Sequence, residues 1–322
     1  MNLRSRLPIV AFFATALLTV GVSASAFTPA RPAAIAASEG ASPTEPAASA
    51  TIPADAPDVA APTELPLDSV PPAATPTPTP SPTAVPPTPS PRPATLVLRV
   101  PVLMYHYISA VPASQANDRF AIDLRVPPEL FEQHLAYLRD EGYATITVPA
   151  LWDALNGHAS LPAKPIILTF DDGYADAYAN ALPLLQKYGF VGTFFITCNL
   201  IGKPGYMTWD QVKALDAAGM DIESHAMDHK PMSSFTLSGL AYEMGQARAT
   251  LTRQLGHDVR FFAYPSGDYN ATALQGVAAN GYAAAFLKGG GSSQSIDWRY
   301  TLRRTRVTGY ASVDTFKAAL RY

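Results

Sequence analysis

An α/β barrel, complete or lacking a strand, is the fold class that residues 96–322 of this chain predict. Seven or eight short β-branched and aromatic runs alternate with longer helical patterns within about 225 residues, the rhythm of parallel strands joined by crossover helices. Gly142, Gly189 and Gly219 each close a helical pattern, as helix stops do. The residues able to do chemistry (His106, Asp171, Asp172, His225, His229) all fall at the C-terminal ends of expected strands, which is where such barrels gather their active sites.

Taken in order, the chain opens on Arg4 and Arg6, an apolar run over residues 7–22, and Ala24-Ser25-Ala26. This is the pattern of a secretory signal cleaved after Ala26, with an uncleaved anchor as the rival. Residues 27–95 hold most of the 31 prolines and, after Phe27, no aromatic. They cannot bury enough apolar surface to offset the entropy of ordering and are expected to form a disordered, partly polyproline spacer. The expected strands then cover residues 100–105, 143–147, 166–170, 191–197, 221–224, 260–264, 283–287 and 304–308. The expected helices cover 128–141, 148–156, 174–188, 209–218, 237–255, 271–280 and 313–320, the first opened by Pro127-Pro128. The net charge of −3 on 322 residues argues against a nucleic-acid partner. Cys198 is the single cysteine and cannot form an internal disulfide, so it reads as packing.

The run Ile166-Ile167-Leu168-Thr169-Phe170 ends in Asp171-Asp172-Gly173, and Ser224-His225-Ala226-Met227-Asp228-His229 follows about fifty residues later. Two histidines four apart and a carboxylate at a strand end are the parts of a three-ligand metal site with an open position. The spare carboxylate is a ready general base. Adjacent strand residues face opposite ways, so both aspartates serve one site only if the strand breaks there, for which Gly173 supplies the freedom. Otherwise one of them merely caps the next helix. A third segment, Phe262-Ala263-Tyr264-Pro265-Ser266-Gly267, can aim the Ser266 backbone N–H into the cleft to stabilise an oxyanion. Tyr206, Trp209 and Trp298 are candidates for stacking on sugar rings.

These three segments, in this order, resemble the polysaccharide deacetylase family (NodB homology, carbohydrate esterase family 4), and the likeness runs from Val100 to the C-terminal region. The resemblance implies a distorted (β/α) barrel of about seven strands. It also implies that Asp172, His225 and His229 ligate a divalent metal, that Asp171 is the catalytic base, and that the Ser266 amide lies in the oxyanion hole. Zinc suits these donors, as do cobalt and nickel. Two departures stand out. Ala263 occupies the position where many members carry an arginine that orients the base, so Arg304 becomes the candidate, with Arg303 and Arg306 as rivals or the triplet merely a basic edge strand. No histidine follows His257, where many members place their acid. His134 and His158 fall on expected helical or loop surface and His257 in a turn. His106, at the end of the first strand, therefore takes the role, as in the circularly permuted branch similar to deacetylases of poly-β-1,6-N-acetylglucosamine.

The expected activity is hydrolysis of N-acetyl groups on an N-acetylglucosamine polysaccharide by a secreted or envelope-associated enzyme. The substrate is the one partner expected, with membrane attachment only if the leader stays uncleaved. An O-acetyl esterase on xylan-like glycan and a binding module without turnover are the rivals. The pair argues against a glycosidase using Asp171 and Asp172, because neighbouring residues rarely straddle a sugar at the required carboxylate separation.

Overall fold

Residues 96–320 are described by the structure, a computed structural model; the expected signal and spacer, residues 1–95, lie outside the described residues. The strands are β1 (Val97–Arg99), β2 (Val102–Tyr105), β3 (Ala144–Thr145), β4 (Pro165–Phe170), β5 (Thr193–Ile196), β6 (Asp221–Ser224), β7 (Phe261–Ala263), β8 (Ala284–Phe286), β9 (Ser293–Ser295) and β10 (Thr305–Arg306). The helices are α1 (Arg119–Leu124), α2 (Pro128–Asp140), α3 (Val148–Leu155), α4 (Leu182–Tyr188), α5 (Trp209–Ala217), α6 (Leu237–Leu240), α7 (Ala247–Leu255), α8 (Ala271–Ala279) and α9 (Val313–Ala319).

A curled parallel sheet of seven strands, in the order β10-β2-β4-β5-β6-β7-β8, forms the body, with β3 paired to β4 beside it. Its two edges are joined by one stretch of chain. The Leu302 N–H donates to Ala285 O and the Leu287 N–H to Leu302 O, while the Val307 N–H donates to Met104 O. Residues 302–307 thus bond to β8 at one end and to β2 at the other, and the distorted barrel expected from the sequence is the fold observed. An antiparallel pair, β1 with β9, was not foreseen.

Alternation along the strands sorts side chains into two layers. Leu103, Tyr105, Ile166, Leu168, Phe170, Phe194 and Ile222 face outward to α2, α4, α5 and α7. Val102, Ile167, Phe195, Phe261, Ala263, Phe286 and Leu302 face the barrel interior. Phe170 stacks on Phe194 at 4.7 Å and on Tyr105 at 5.5 Å, and each such fully buried ring contributes about 1.5–3 kcal/mol. α3 departs from the expected alternation. Its apolar face (Val148, Leu151, Leu155) packs with the interior residues, so it plugs the bottom of the barrel rather than its flank. Asp221 anchors it, since Oδ2 accepts from the Val148 N–H and from Thr193 Oγ1, a carboxylate at a helix N-terminus.

Two expected helices are interrupted. A π-helical turn at Ala177–Ala181 precedes α4, and another at Ala241–Gln246 separates α6 from α7; such turns often mark functional sites. Here they brace the loops around the site. Asn180 Nδ2 donates to Ile108 O, beyond the end of β2. Glu243 holds the loop after β6, its carbonyl accepting from the Met227 N–H and its carboxylate from the Asp228 N–H. The surface position expected for His134 is corrected. It is fully buried, stacked on Phe316 at 4.0 Å, with Nδ1 3.3 Å from Tyr105 Oη, because α9 packs over α2. Burial pushes its pKa down to about 4.

Candidate metal centre

At the C-terminal rim of the sheet, the backbone leaves its ordinary range at three non-glycine residues: Asp172 (φ 75°), Ala226 (φ 71°) and Ser266 (φ 58°). Left-handed conformations cost free energy in residues with a Cβ and cluster where a site demands them. Each ends a strand that was expected to carry chemistry. The break expected at Gly173 begins one residue earlier, at Asp172 itself, and it turns Asp171 and Asp172 toward the same cavity.

That cavity, of about 500 Å3, is lined among others by His106, Asp171, Asp172, His225, His229, Ser266 and Arg304. All seven residues singled out from the sequence therefore meet. Asp172 Oδ1 lies 3.3 Å from His225 Nε2 and 3.3 Å from His229 Nε2. Around a tetrahedral cation with bonds of about 2.0–2.2 Å, donor atoms stand about 3.3–3.6 Å apart, so the spacing fits. The hydrogen bonding fits as well. His225 Nδ1 lies 2.7 Å from Ala263 O, to which it can only donate. In its neutral form the ring turns the Nε2 lone pair toward Asp172 Oδ1, a buried oxygen with no hydrogen-bond partner. Two acceptors face each other, and a positive charge between them resolves the repulsion. The same field acts on protons: burial lowers the pKa of His225, yet Asp171 and Asp172 more than offset it and leave it raised. These residues form a possible His/Asp metal site.

Asp171 is gripped by Arg304. Nη1 donates to Oδ1 at 2.6 Å and Nη2 to Oδ2 at 2.8 Å, a fork-on-fork pair with both residues buried. Arg304 Nη1 also donates to Thr169 Oγ1, which in turn donates to Leu103 O. Burial pushes the Asp171 carboxyl up, but Arg304 and His225 hold it below the usual carboxylate value. Of the rival arginines, Arg303 turns away to Trp298. Arg306 lines the cavity but pairs with Asp123 at 2.6 Å. β10 does stand at the end of the strand order, but Arg304 is buried and points inward to Asp171, so the triplet is more than a basic edge.

His106 is half-buried, and its Nδ1 is buried without a hydrogen-bond partner. Burial lowers its pKa despite the opposing pull of Asp172 and Asp171. The Ser266 N–H donates to no other group of the chain among the backbone bonds of the described residues, while the flanking Gly267 and Asp268 N–H groups bond back to Tyr264 O and Pro265 O. Of the stacking candidates, Tyr206 lines the cavity and stacks on Tyr174 at 5.0 Å. Trp209 packs against the core, and Trp298 lies under Arg303 rather than at the cavity. Phe120, which the sequence reading passed over, does line it; Asp118, whose side chain accepts from the Phe120 and Ala121 N–H groups, was the available signal for α1. Cys198 is buried and its thiol is pushed up to about 12, as expected of packing.

A parallel α/β barrel with a carboxylate pair and a His/Asp cluster at its strand ends is an arrangement suited to hydrolysis. The sequence profile described as Polysaccharide deacetylase matches residues 158–285, and this chain belongs to that family, whose hydrolases act on polysaccharide N-acetyl groups. It is 32% identical over 220 residues to YxkH of Bacillus subtilis (strain 168), named as a polysaccharide deacetylase, covering 68% of this chain and 75% of that one. The poly-beta-1,6-N-acetyl-D-glucosamine N-deacetylase of Escherichia coli (strain K12) is 28% identical over 126 residues, 34% of this chain but 18% of the longer relative. Among solved structures, the Streptococcus pyogenes deacetylase PplD superposes with a TM-score of 0.66 at 28% identity, covering 70% of this chain and all of that one. IcaB from Ammonifex degensii gives 0.60 at 26% identity, over 69% and 97%. His106 and Arg304 both lie outside the segment that the family profile matches.

Proposed function

We propose that this chain is a metal-dependent N-deacetylase of N-acetylglucosamine-containing polysaccharide, working outside the cytoplasm. The observation that carries the reading is the donor set of Asp172, His225 and His229 standing beside a carboxylate held ionised by Arg304. Asp172, His225 and His229 would hold a divalent cation, which would supply a Lewis acid to polarise the acetyl carbonyl and make water more acidic. Asp171, its proton affinity kept low and its orientation fixed by the Arg304 fork, accepts the proton of the attacking water. The unpaired Ser266 N–H donates to the oxygen on which negative charge develops. His106 carries the proton that the departing sugar amine requires, since an amine anion is a very poor leaving group. Burial lowers its proton affinity, which makes the ring a ready donor once it is protonated, and the proton that Asp171 takes from the attacking water balances the one that the amine receives.

An acetate-release screen over acetylated glycans, with and without chelator, tests the reading. Release from N-acetylglucosamine oligomers, abolished by chelator and restored by zinc, cobalt or nickel, is expected. Release undiminished by chelator would reject the metal assignment. Release from acetyl-xylan only would make the enzyme an O-acetyl esterase, and bound metal without release from any glycan would make it a binding module. For His106→Ala, kcat is expected to fall by about 10²–10⁴-fold with KM changed by less than about threefold. Steady-state kinetics check this, and an equal loss in His257→Ala would reassign the proton carrier.

A further inference from the structure

Thr169 is fully buried in β4, two residues before Asp171. The Asp171 N–H, bonded to Tyr105 O, still belongs to the ladder with β2. Alternate residues of a strand share a face, so the Thr169 and Asp171 side chains leave β4 on the same side. The Arg304 guanidinium meets both of them there. Nη1 donates at 3.2 Å to Thr169 Oγ1 and at 2.6 Å to Asp171 Oδ1. Thr169 is thus a second handle on the group that grips the base.

The direction of each hydrogen bond follows from the groups themselves. A guanidinium can only donate and a carbonyl can only accept. The one hydroxyl proton therefore goes to Leu103 O at 2.9 Å, and an oxygen lone pair is left facing Nη1. Leu103 is also the residue that Thr305 pairs with in the ladder between β2 and β10. The backbone that carries Arg304 is fixed at that seam, and Thr169 extends the same anchorage to the end of the side chain. The remaining contacts are looser: Nε lies 3.5 Å from Leu287 O, and Cζ stands 5.2 Å from the centre of the Phe195 ring. An arginine side chain has many rotamers to lose, so a fixed acceptor at its tip narrows the choice.

The geometry points to Thr169 as a positioning residue of the proposed deacetylation. Its hydroxyl fixes the roll of the Arg304 fork, and through the fork the direction in which Asp171 presents its carboxylate to the attacking water. The inference rests on Asp171 being the base, as proposed above. A base must stand within about 2.6–3.2 Å of the group whose proton it takes. A rolled fork keeps the ion pair but turns the accepting oxygen off that line, which slows the chemical step and leaves substrate binding alone.

Acetate release from an N-acetylglucosamine pentamer, with zinc added, tests this alongside nitrogen NMR of the Arg304 guanidinium, whose signals are identified by their loss in Arg304→Lys. Thr169→Val and Thr169→Ala remove the hydroxyl and leave different bulk. In each, kcat is expected to fall about tenfold with KM changed by less than about twofold, as for a group that acts on the chemical step. Rotation of the guanidinium about Nε–Cζ should become about tenfold faster, the effect of one lost charge-assisted hydrogen bond. Thr169→Ser should bring both back to within about threefold of the wild type. Unchanged rotation in the valine and alanine variants, with acetate release intact in the wild type, would overturn the inference alone. A serine variant as impaired as valine would also overturn it, by assigning the effect to packing of the methyl group. Faster rotation in the variants of a protein that releases no acetate would refute the deacetylase reading and leave the anchoring of Arg304 by Thr169 standing.

Discussion

Asp171→Asn is expected to lower acetate release by about 10²–10⁴-fold, the usual contribution of a positioned general base, while bound metal stays near the wild-type level. The substitution keeps the shape of the side chain and leaves the three donors untouched. It removes only the charge that accepts the proton. It also leaves the Arg304 guanidinium buried without a counter-ion, a loss of about 3–5 kcal/mol for a broken buried pair, so the variant should melt earlier. Metal content by elemental analysis, a thermal melt and acetate assays separate these effects. A folded variant with near-normal turnover would remove Asp171 from the mechanism.

Replacing the other half of that pair should do comparable damage by a different route. In Arg304→Met, burial acts on Asp171 without the opposing guanidinium, so the carboxyl pKa moves upward. The acid limb of the pH–kcat/KM profile should therefore shift to higher pH, with residual activity rising as the medium becomes more basic. Stability should fall by about 3–5 kcal/mol, the cost of a buried unpaired charge, read from denaturant unfolding. Arg304→Lys keeps the charge but loses the bidentate geometry, and should sit between wild type and methionine on both measures. An acid limb that does not move in Arg304→Met would show that Arg304 does not tune Asp171.

The readable part of the site is the part carried by short spacing. Asp171 and Asp172 follow directly on an apolar run, and His225 and His229 are four apart after another. The Arg304–Asp171 pair, by contrast, joins residues 133 apart in sequence. At Ala263, where the resemblance leads one to look for this arginine, the backbone carbonyl orients His225, a role that no side-chain pattern reveals. Closure of the barrel by residues 302–307 brings an arginine to the base from the far end of the domain instead. His134 was misplaced for a different reason. Its spacing from Phe131, Leu135 and Leu138 already puts it on the buried face of α2; its polar ring alone suggested the surface, and Phe316, far along the chain, covers it. The subdivided helices escaped notice because a π-turn costs one extra residue per turn and leaves no compositional mark.

Strand and helix order, the histidine pair and the carboxylate pair follow from local patterns, since periodicity and adjacency are written along the chain. The identity of the arginine and the left-handed turns at Asp172, Ala226 and Ser266 arise where distant segments are forced together. Those contacts exist only once the sheet has curled and its edges have met, because a hydrogen bond or an ion pair depends on separation in space and is indifferent to separation in sequence.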